Sequence, residues 1–173
     1  MAKSIDACGV PTYAFPLRDV ARAYALLADP DAIPAKDSRS SLAEALIRIR
    51  DALLANPEMI AGTRDRLDSS VMKAVPGCLV SKGGAEGLRA FAVMRTEAHP
   101  IARGVALKIE DGAGYDRAVS AASVEALRQV GALDDAALRA LARYHHPAAL
   151  DPRGERVGGA VPEFELAPVG EML

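Results

Sequence analysis

The stretch Lys82-Gly83-Gly84 joins a lysine to two glycines directly after the apolar run that begins at Cys78. Burying an ammonium group is costly, so a lysine at the end of a strand is a poor choice for packing. Paired glycines indicate an unusual backbone angle or a surface that another molecule approaches closely. We therefore predict a lysine that transfers protons or assists a serine nucleophile, with substrate lying against the glycine backbone. The alternative is an exposed loop lysine, and Glu86 nearby fits either a solvated turn or a contact to a substrate amine.

Asp6 and Cys8 are a second candidate pair, two positions apart in a segment that contains glycine and proline. Functional residues often lie on irregular segments of this kind, which a scaffold holds in place. A cysteine thiolate can bind zinc, but a zinc site needs three or four ligands. From the residues alone, the segment therefore favours a buried, unreactive cysteine and an aspartate in a turn.

Two further patterns are interpreted as structural. Ser70 and Lys73 have the S-x-x-K spacing of some serine hydrolases, but they fall on a predicted helix without companion motifs. His145 and His146 are adjacent, so on a helix their side chains point in different directions, and a cationic histidine suits a helix C-terminus. The sequence contains no nucleophile elbow, phosphate-binding loop or zinc-protease motif, so no nucleophile is identified.

The spacing of apolar residues predicts helices, then strands, then helices again. Helical spacing covers residues 17–28 and 68–74, and between them Ser41 and Glu44 form a capping box before another helix. Short segments of β-type composition follow, with links short enough for antiparallel pairing. A second helical region covers 123–144, with a glycine stop at Gly131 and a new N-cap at Asp134. The predicted class is α+β, a small antiparallel sheet packed with helices. The strands are placed at 78–81, 88–95 and 103–110, with an edge strand at 161–166 and an irregular start at 4–16.

The composition argues against several classes of function. The chain has 173 residues, a formal charge of −2 and a pI near 5.9, and its basic residues are dispersed, so nucleic acid is not an expected partner. No apolar run approaches the roughly 18 residues of a membrane span, so no membrane partner is expected. The two cysteines provide no disulfide framework and suit a reducing compartment, so the expected location is cytoplasmic.

Three segments taken together resemble one enzyme family. Asp6 to Thr12 have the sequence D-A-C-G-V-P-T, residues 60–72 have I-A-G-T-R-D-R-L-D-S-S-V-M, and residues 82–87 have K-G-G-A-E-G. In this order and at this spacing, they resemble the asparaginase II family, the Ser-Lys type of L-asparaginase. The first segment departs from the family's usual D-G-C-G-x-P-T by an alanine in place of a glycine, whereas the third is intact.

The resemblance implies a fold related to serine β-lactamases and bacterial-type glutaminases, and hydrolysis of L-asparagine to L-aspartate and ammonia by paired Ser-Lys groups. Lys82 matches the family's second lysine, the proton-transfer partner of a serine. Cys8 matches a cysteine that binds zinc near the substrate, and Asp6 matches an aspartate that lines the same site, so we expect Cys8 and Lys82 to share a cleft. The expected substrate-side positions beside the lysine are Gly83, Gly84 and Glu86.

Members of that family are longer, and they carry the serine nucleophile, its S-x-x-K lysine and a C-x-x-K element with the remaining zinc ligands before the region matched here. We therefore expect residues 1–173 to form a C-terminal half-domain that is inactive alone. Apolar surface beside Lys82 is then covered by an N-terminal half or by a homo-oligomer partner. The alternative is a non-catalytic binding or regulatory remnant that keeps the fold without the activity.

Overall fold

The computed structural model describes residues 2–34, 36, 40–97, 99–110 and 118–167. It confirms the predicted α+β class, with helices before and after a run of three central strands. The strands are β1 (Lys3–Ile5), β2 (Pro11–Tyr13), β3 (Leu79–Gly83), β4 (Leu88–Val93), β5 (Arg103–Lys108), β6 (Ala148–Leu150) and β7 (Arg156–Gly159). The helices are α1 (Leu17–Ala28), α2 (Ala43–Ala55), α3 (Pro57–Ala61), α4 (Leu67–Ala74), α5 (Ala118–Gln129), α6 (Asp135–Ala140) and α7 (Ala142–His145), and 3-10 turns cover Pro30–Ala32 and Ser40–Leu42.

The central sheet is an antiparallel meander in the order β3-β4-β5. Along its first pair, Leu79 lies opposite Val93 and Gly83 lies opposite Arg89. β4 then pairs with β5 in the same antiparallel sense. The strands predicted from β-type composition and short links are therefore confirmed in type, order and direction.

The edge strand predicted at 161–166 is wrong. Residues 161–167 form no strand, and a separate two-stranded ribbon, β6 with β7, lies just before them in the chain. The segment lies instead against α5, where the Gln129 side-chain amide donates to Phe164 O at 2.7 Å and accepts from Leu166 N at 2.7 Å. One side-chain amide thus satisfies backbone groups that the sequence pattern assigned to a neighbouring strand.

Two local predictions near the N-terminus are also corrected. Residues 4–16 are not irregular throughout, because β1 and β2 pair as a short antiparallel hairpin. The capping box of Ser41 and Glu44 does not begin a helix, since a 3-10 turn precedes α2 and the helix has no side-chain cap. Strands of three residues are too short to show the alternation of apolar and polar residues from which a strand is predicted.

The helical region predicted at 123–144 is divided into α5, α6 and α7. The predicted stop at Gly131, which has a φ of +73°, is confirmed, and so is the predicted cap, since Asp134 Oδ1 accepts from Ala137 N at 2.7 Å. Val124 and Leu127 of α5 belong to the main core, so this region packs on the sheet as predicted. The α1 helix also packs on the sheet, along β4 and β5.

A glycine in β5 allows α1 to lie very close to the sheet. A Cβ built on Gly104 would lie only 1.7 Å from Ala21 O, a backbone atom of α1. Ala92 lies opposite Gly104 in the register, so small residues meet where the helix crosses. Side chains alternate along a strand, so the fully buried Phe91 faces the opposite side, which α5 covers.

A buried carboxylate joins α5 to α7. The Glu125 side chain is 9% exposed and accepts hydrogen bonds from Arg128 at 2.7 Å, from Gln129 at 2.6 Å and from His145 Nε2 at 2.8 Å. The hydrogen bonds from Arg128, helped by those from Gln129 and His145, outweigh the opposing effect of burial and lower the pKa of Glu125 from 4.5 to about 2. Glu125 is therefore charged in the folded protein at every pH at which the fold is normally studied.

We expect Gly104→Ala to destabilise the protein by about 3 kcal/mol or more, because the added methyl group meets backbone rather than a mobile side chain. Urea unfolding followed by circular dichroism measures the loss. Gly158→Ala is the matched control, because a Cβ there would lie 3.9 Å from its nearest neighbour. A change below about 0.5 kcal/mol is expected for the control. Equal stability of Gly104→Ala and the wild type would contradict the packing of α1 on β5.

The lowered pKa of Glu125 predicts a pH dependence of stability. Its contribution is fully present above about pH 4.5, the ordinary value, and is lost as the pH falls toward about 2, where the folded-state carboxylate takes up its proton. The free energy of unfolding should therefore fall less steeply over this range in Glu125→Gln than in the wild type. Glu44→Gln, at an exposed position of α2, should keep the wild-type slope. Identical slopes for all three proteins would show that the Glu125 hydrogen bonds do not form in solution.

Candidate functional site

Lys82 lies on the rim of a polar cleft of about 500 Å³. The lysine is exposed, at the fourth position of β3, and its Nζ donates to Gly83 O at 2.5 Å. The cleft is formed by the end of β3, the region around the start of α4, and residues of α5 and α7. Its polar lining includes Asp65, Asp68, Arg89, Ser120, Arg143 and Tyr144.

A buried ion pair holds the strand end that carries Lys82. Asp68 of α4 and Arg89 of β4 are both more than nine-tenths buried, and Arg89 Nη1 donates to Asp68 Oδ1 at 2.5 Å. Ser81 Oγ donates to the same oxygen at 2.5 Å, and the backbone N–H of Gly83 donates to Asp68 Oδ2 at 3.1 Å. Asp68 therefore binds the residues on both sides of Lys82, and these charge-assisted hydrogen bonds fix α4 against β3 and β4.

The two glycines after Lys82 have a packing role that their sequence context does not reveal. A Cβ on Gly83 would lie 3.0 Å from Arg89 Nη1 and 3.2 Å from Asp68 Oδ2. A Cβ on Gly84 would lie 3.1 Å from the Leu88 side chain. A side chain at Gly83 would thus press on the ion pair, so packing favours glycine here whether or not a substrate approaches.

Glu86 lies in the tight turn between β3 and β4. It is exposed and has a φ of +56°, and Gly87 follows with a φ of +71°. A positive φ is unusual for a residue other than glycine and is typical of turns that the surrounding structure over-determines. Of the predicted substrate-side positions, Gly83 lines the cleft with Lys82, whereas Gly84 and Glu86 do not.

A second set of polar contacts forms another wall of the cleft. Arg143 Nη1 lies 2.5 Å from Asp65 Oδ1, and Arg143 Nη2 donates to the Tyr144 hydroxyl at 2.9 Å. The Tyr144 hydroxyl lies 3.0 Å from Ser70 Oγ. The Arg143 and Asp65 side chains are 59% and 78% exposed, so this ion pair adds little stability and is easily exchanged.

The comparison with known families agrees with the motifs around this site. The family model for L-asparaginase II matches residues 1–162, nearly the whole chain. The chain belongs to the asparaginase II family. Membership indicates an amidohydrolase of the asparaginase type. A search of curated proteins found no match to the chain.

The N-terminal asparaginase II motif forms the turn between β1 and β2. Asp6 Oδ1 accepts from Cys8 N and from Val10 N at 2.9 Å each, and Gly9 has a φ of +77°. Asp6 is therefore the turn aspartate that the residues alone favoured, whereas Cys8 is exposed rather than buried. Neither residue lines the cleft around Lys82, so the expected meeting of Cys8 and Lys82 in one cleft is not seen in this chain.

The zinc site implied by the asparaginase II resemblance does not form from the described residues. Within them, no group of three or more His, Cys, Asp or Glu side chains is arranged to hold a metal ion. Cys8 alone is too few ligands for zinc. Zinc binding at Cys8 stays a prediction that needs ligands from another segment or chain, and no catalytic step below uses it.

The S-x-x-K pattern of Ser70 and Lys73 does not form a catalytic pair. Ser70 contacts the Tyr144 hydroxyl, and Lys73 Nζ lies 4.0 Å from Glu58 Oε2. The lysine side chain is 53% exposed. Lys73 therefore lies on the exposed surface of α4, as the sequence favoured, whereas Ser70 is half-buried.

An apolar groove adjoins Lys82 beside the polar cleft. The groove has a volume of about 750 Å³ and lies between α2 and α3, where it is lined by Ile49, Leu53, Met59 and Ile60. Ile49 is 51% exposed and Met59 is 81% exposed. Exposed apolar surface of this kind often marks an interaction site. Apolar surface thus flanks Lys82, as expected, whereas Cys8 does not line the groove. Separately, no helix in the described ranges has the length and apolar character to cross a membrane.

Sequence reasoning missed Asp68, Arg89, Ser120 and Arg143. A signal existed for Arg89, a charged residue inside the otherwise apolar strand L-R-A-F-A-V, because a buried arginine requires a carboxylate partner. Asp68 lies within the second family segment but carried no assigned role. Ser120 and Arg143 have no local signal, since helical spacing does not tell which helix faces will line a common cleft.

We expect Asp68→Ala to destabilise the protein by about 3–5 kcal/mol, because it removes the carboxylate that faces the buried Arg89 guanidinium. Asp65→Ala is the matched control, since it breaks an exposed ion pair that is worth at most about 1 kcal/mol. Chemical unfolding of both variants gives the comparison. Similar small losses in the two variants would show that the Asp68–Arg89 pair does not organise the fold.

Proposed function

We propose that this chain supplies the lysine side of a Ser-Lys amidohydrolase site that converts L-asparagine and water to L-aspartate and ammonia. The observation that carries the proposal is the position of Lys82, within the intact K-G-G-A-E-G motif of the family and on the rim of a polar cleft. In the proposed completed site, Lys82 acts in its neutral amine form and accepts the proton of a serine hydroxyl as the oxygen attacks the side-chain amide carbon. It returns that proton to the leaving nitrogen, which departs as ammonia, and water then hydrolyses the ester.

The serine comes from outside the described site, from an N-terminal half or from a second copy of the chain. Ser70 is engaged by Tyr144, and its S-x-x-K lysine pairs with Glu58, which supports a nucleophile from elsewhere. The apolar groove beside Lys82, with Met59 exposed, offers a surface on which such a segment can be seated. The proposed completed protein thus brings a serine across the groove toward the lysine.

The remaining family positions take part only in the completed protein. Asp6, Gly84 and Glu86 are proposed substrate contacts, and Cys8 a proposed zinc ligand, but they lie outside the cleft of this chain. Gly83 already lines the cleft, so its backbone is the part of the proposed substrate surface that is formed.

The test is release of ammonia from L-asparagine by the chain alone and by the chain mixed with the N-terminal half of a longer family member. We expect turnover only in the mixture, and Lys82→Ala should lower kcat by about 10²–10⁴-fold because a general acid–base group is lost. Circular dichroism should show an unchanged fold, since the Lys82 side chain is exposed.

Lys73→Ala is the control, because Lys73 is an exposed lysine that does not line the cleft. It should retain full activity. A fully active Lys82→Ala variant would identify Lys82 as an ordinary surface residue. Absence of turnover in every mixture would favour the non-catalytic remnant.

A further inference from the structure

Ser120 is a largely buried residue whose side chain lines the cleft without a hydrogen-bond partner among the described residues. It lies in the first turn of α5, lines the cleft with Lys82 and is 6% exposed. Among the described residues, its Oγ makes no hydrogen bond. Ser123 of the same helix differs, because it is fully buried and donates to Val119 O at 2.5 Å. The Ser120 Oγ is not one of the fully buried atoms that lack a partner, so it is accessible from the cleft and can bind a ligand atom there.

The cleft around Ser120 is cationic. The charged residues that line it are Lys82, Arg66, Arg89, Arg143, Asp65 and Asp68, four cations against two acids. Asp68 is occupied by Arg89 in the buried pair, and neither Lys82 nor Arg66 forms an ion pair with a described residue. The first-turn amides of a helix have no acceptor within the helix, and the helix dipole adds positive potential there. The ligand that fits this lining is an anion.

We propose that this part of the cleft is a carboxylate subsite, in which Ser120 Oγ–H and the first turn of α5 hydrogen-bond to the α-carboxylate of an amino-acid amide. Arg143 pairs with the same carboxylate by releasing Asp65, because their ion pair is exposed and weak. The identification of the ligand rests on the proposed function. A ligand bound in this way has its carboxylate at α5 and extends its side-chain amide toward Lys82.

Three small compounds test which groups of asparagine the subsite binds. Succinamate keeps the carboxylate and the amide but lacks the amine, β-alaninamide keeps the amine and the amide but lacks the carboxylate, and inorganic phosphate is an anion of different shape. Each is titrated into the ¹⁵N-labelled full chain, and the amide shifts are followed by NMR. We expect saturable binding of succinamate with shifts at Ser120, Gly83 and Tyr144. Binding of β-alaninamide and of phosphate should be at least about tenfold weaker, the loss of a hydrogen bond to a charged group.

Variants test the two named side chains against matched controls. Ser120→Ala and Arg143→Gln should each weaken succinamate binding by about tenfold or more. Ser123→Ala, on the same helix, and Arg139→Gln, exposed on α6, do not line the cleft and should bind succinamate as the wild type does. Ser120→Ala should be no less stable than the wild type, because the hydroxyl that it removes has no hydrogen-bond partner among the described residues.

Asp65→Asn should strengthen succinamate binding, whereas Ser120→Ala and Arg143→Gln should weaken it. It removes the carboxylate that competes for Arg143, so succinamate should bind a few-fold more tightly. Wild-type affinity in both Ser120→Ala and Arg143→Gln, phosphate binding as tight as succinamate, or no saturable binding of succinamate would each overturn the inference. If succinamate binding depends on Ser120 but the chain mixed with the N-terminal half never hydrolyses asparagine, the subsite is supported and the proposed function is refuted. If the mixture hydrolyses asparagine but succinamate binding does not depend on Ser120, the proposed function is supported and the subsite is refuted.

Discussion

Asp68 and Arg89 meet almost entirely out of contact with water, and the candidate site is built on this ion pair. A buried charge that loses its partner is strongly destabilising, so α4 and β4 must approach each other closely enough for the pair to form. Because the Asp68 carboxylate also accepts from Ser81 and from the Gly83 amide, it sets where β3 ends relative to α4. Lys82 is therefore positioned by the hydrogen bonds that its neighbours Ser81 and Gly83 make to Asp68, not by its own side chain.

The surroundings of Lys82 differ on its two sides. One side is the polar cleft, where Ser120 and Arg143 lie, and the other is the apolar groove between α2 and α3. The polar side suits a small charged substrate, whereas the apolar side suits another protein segment. The proposed function, in which the chain contributes the lysine of a Ser-Lys site, uses both surfaces. The exposed ammonium group of Lys82 is accessible from each of them.

The N-terminal family motif serves a different part of the molecule. Asp6 closes the β1–β2 turn with its own side chain, and it leaves Cys8 exposed on a hairpin that does not reach the cleft. Local hydrogen bonds alone determine this arrangement, since the turn caps itself within five residues. The hairpin therefore leaves Asp6 and Cys8 exposed, and neither residue lines the cleft.

The sequence by itself determined the family, through three motifs in order, and the α+β class with its meander, because short links leave antiparallel pairing as the simple solution. It also singled out Lys82, since a lysine ahead of two glycines is a poor choice for packing. The tertiary structure alone decided the rest. It showed that a side chain at Gly83 would crowd an ion pair beneath it. It also showed that residues 161–166 bond to Gln129 rather than to a strand, and that Ser120 and Arg143 line the same cleft as Lys82. Periodicity and composition report the conformation of neighbours along the chain, whereas these contacts depend on how distant helices and strands come together in space.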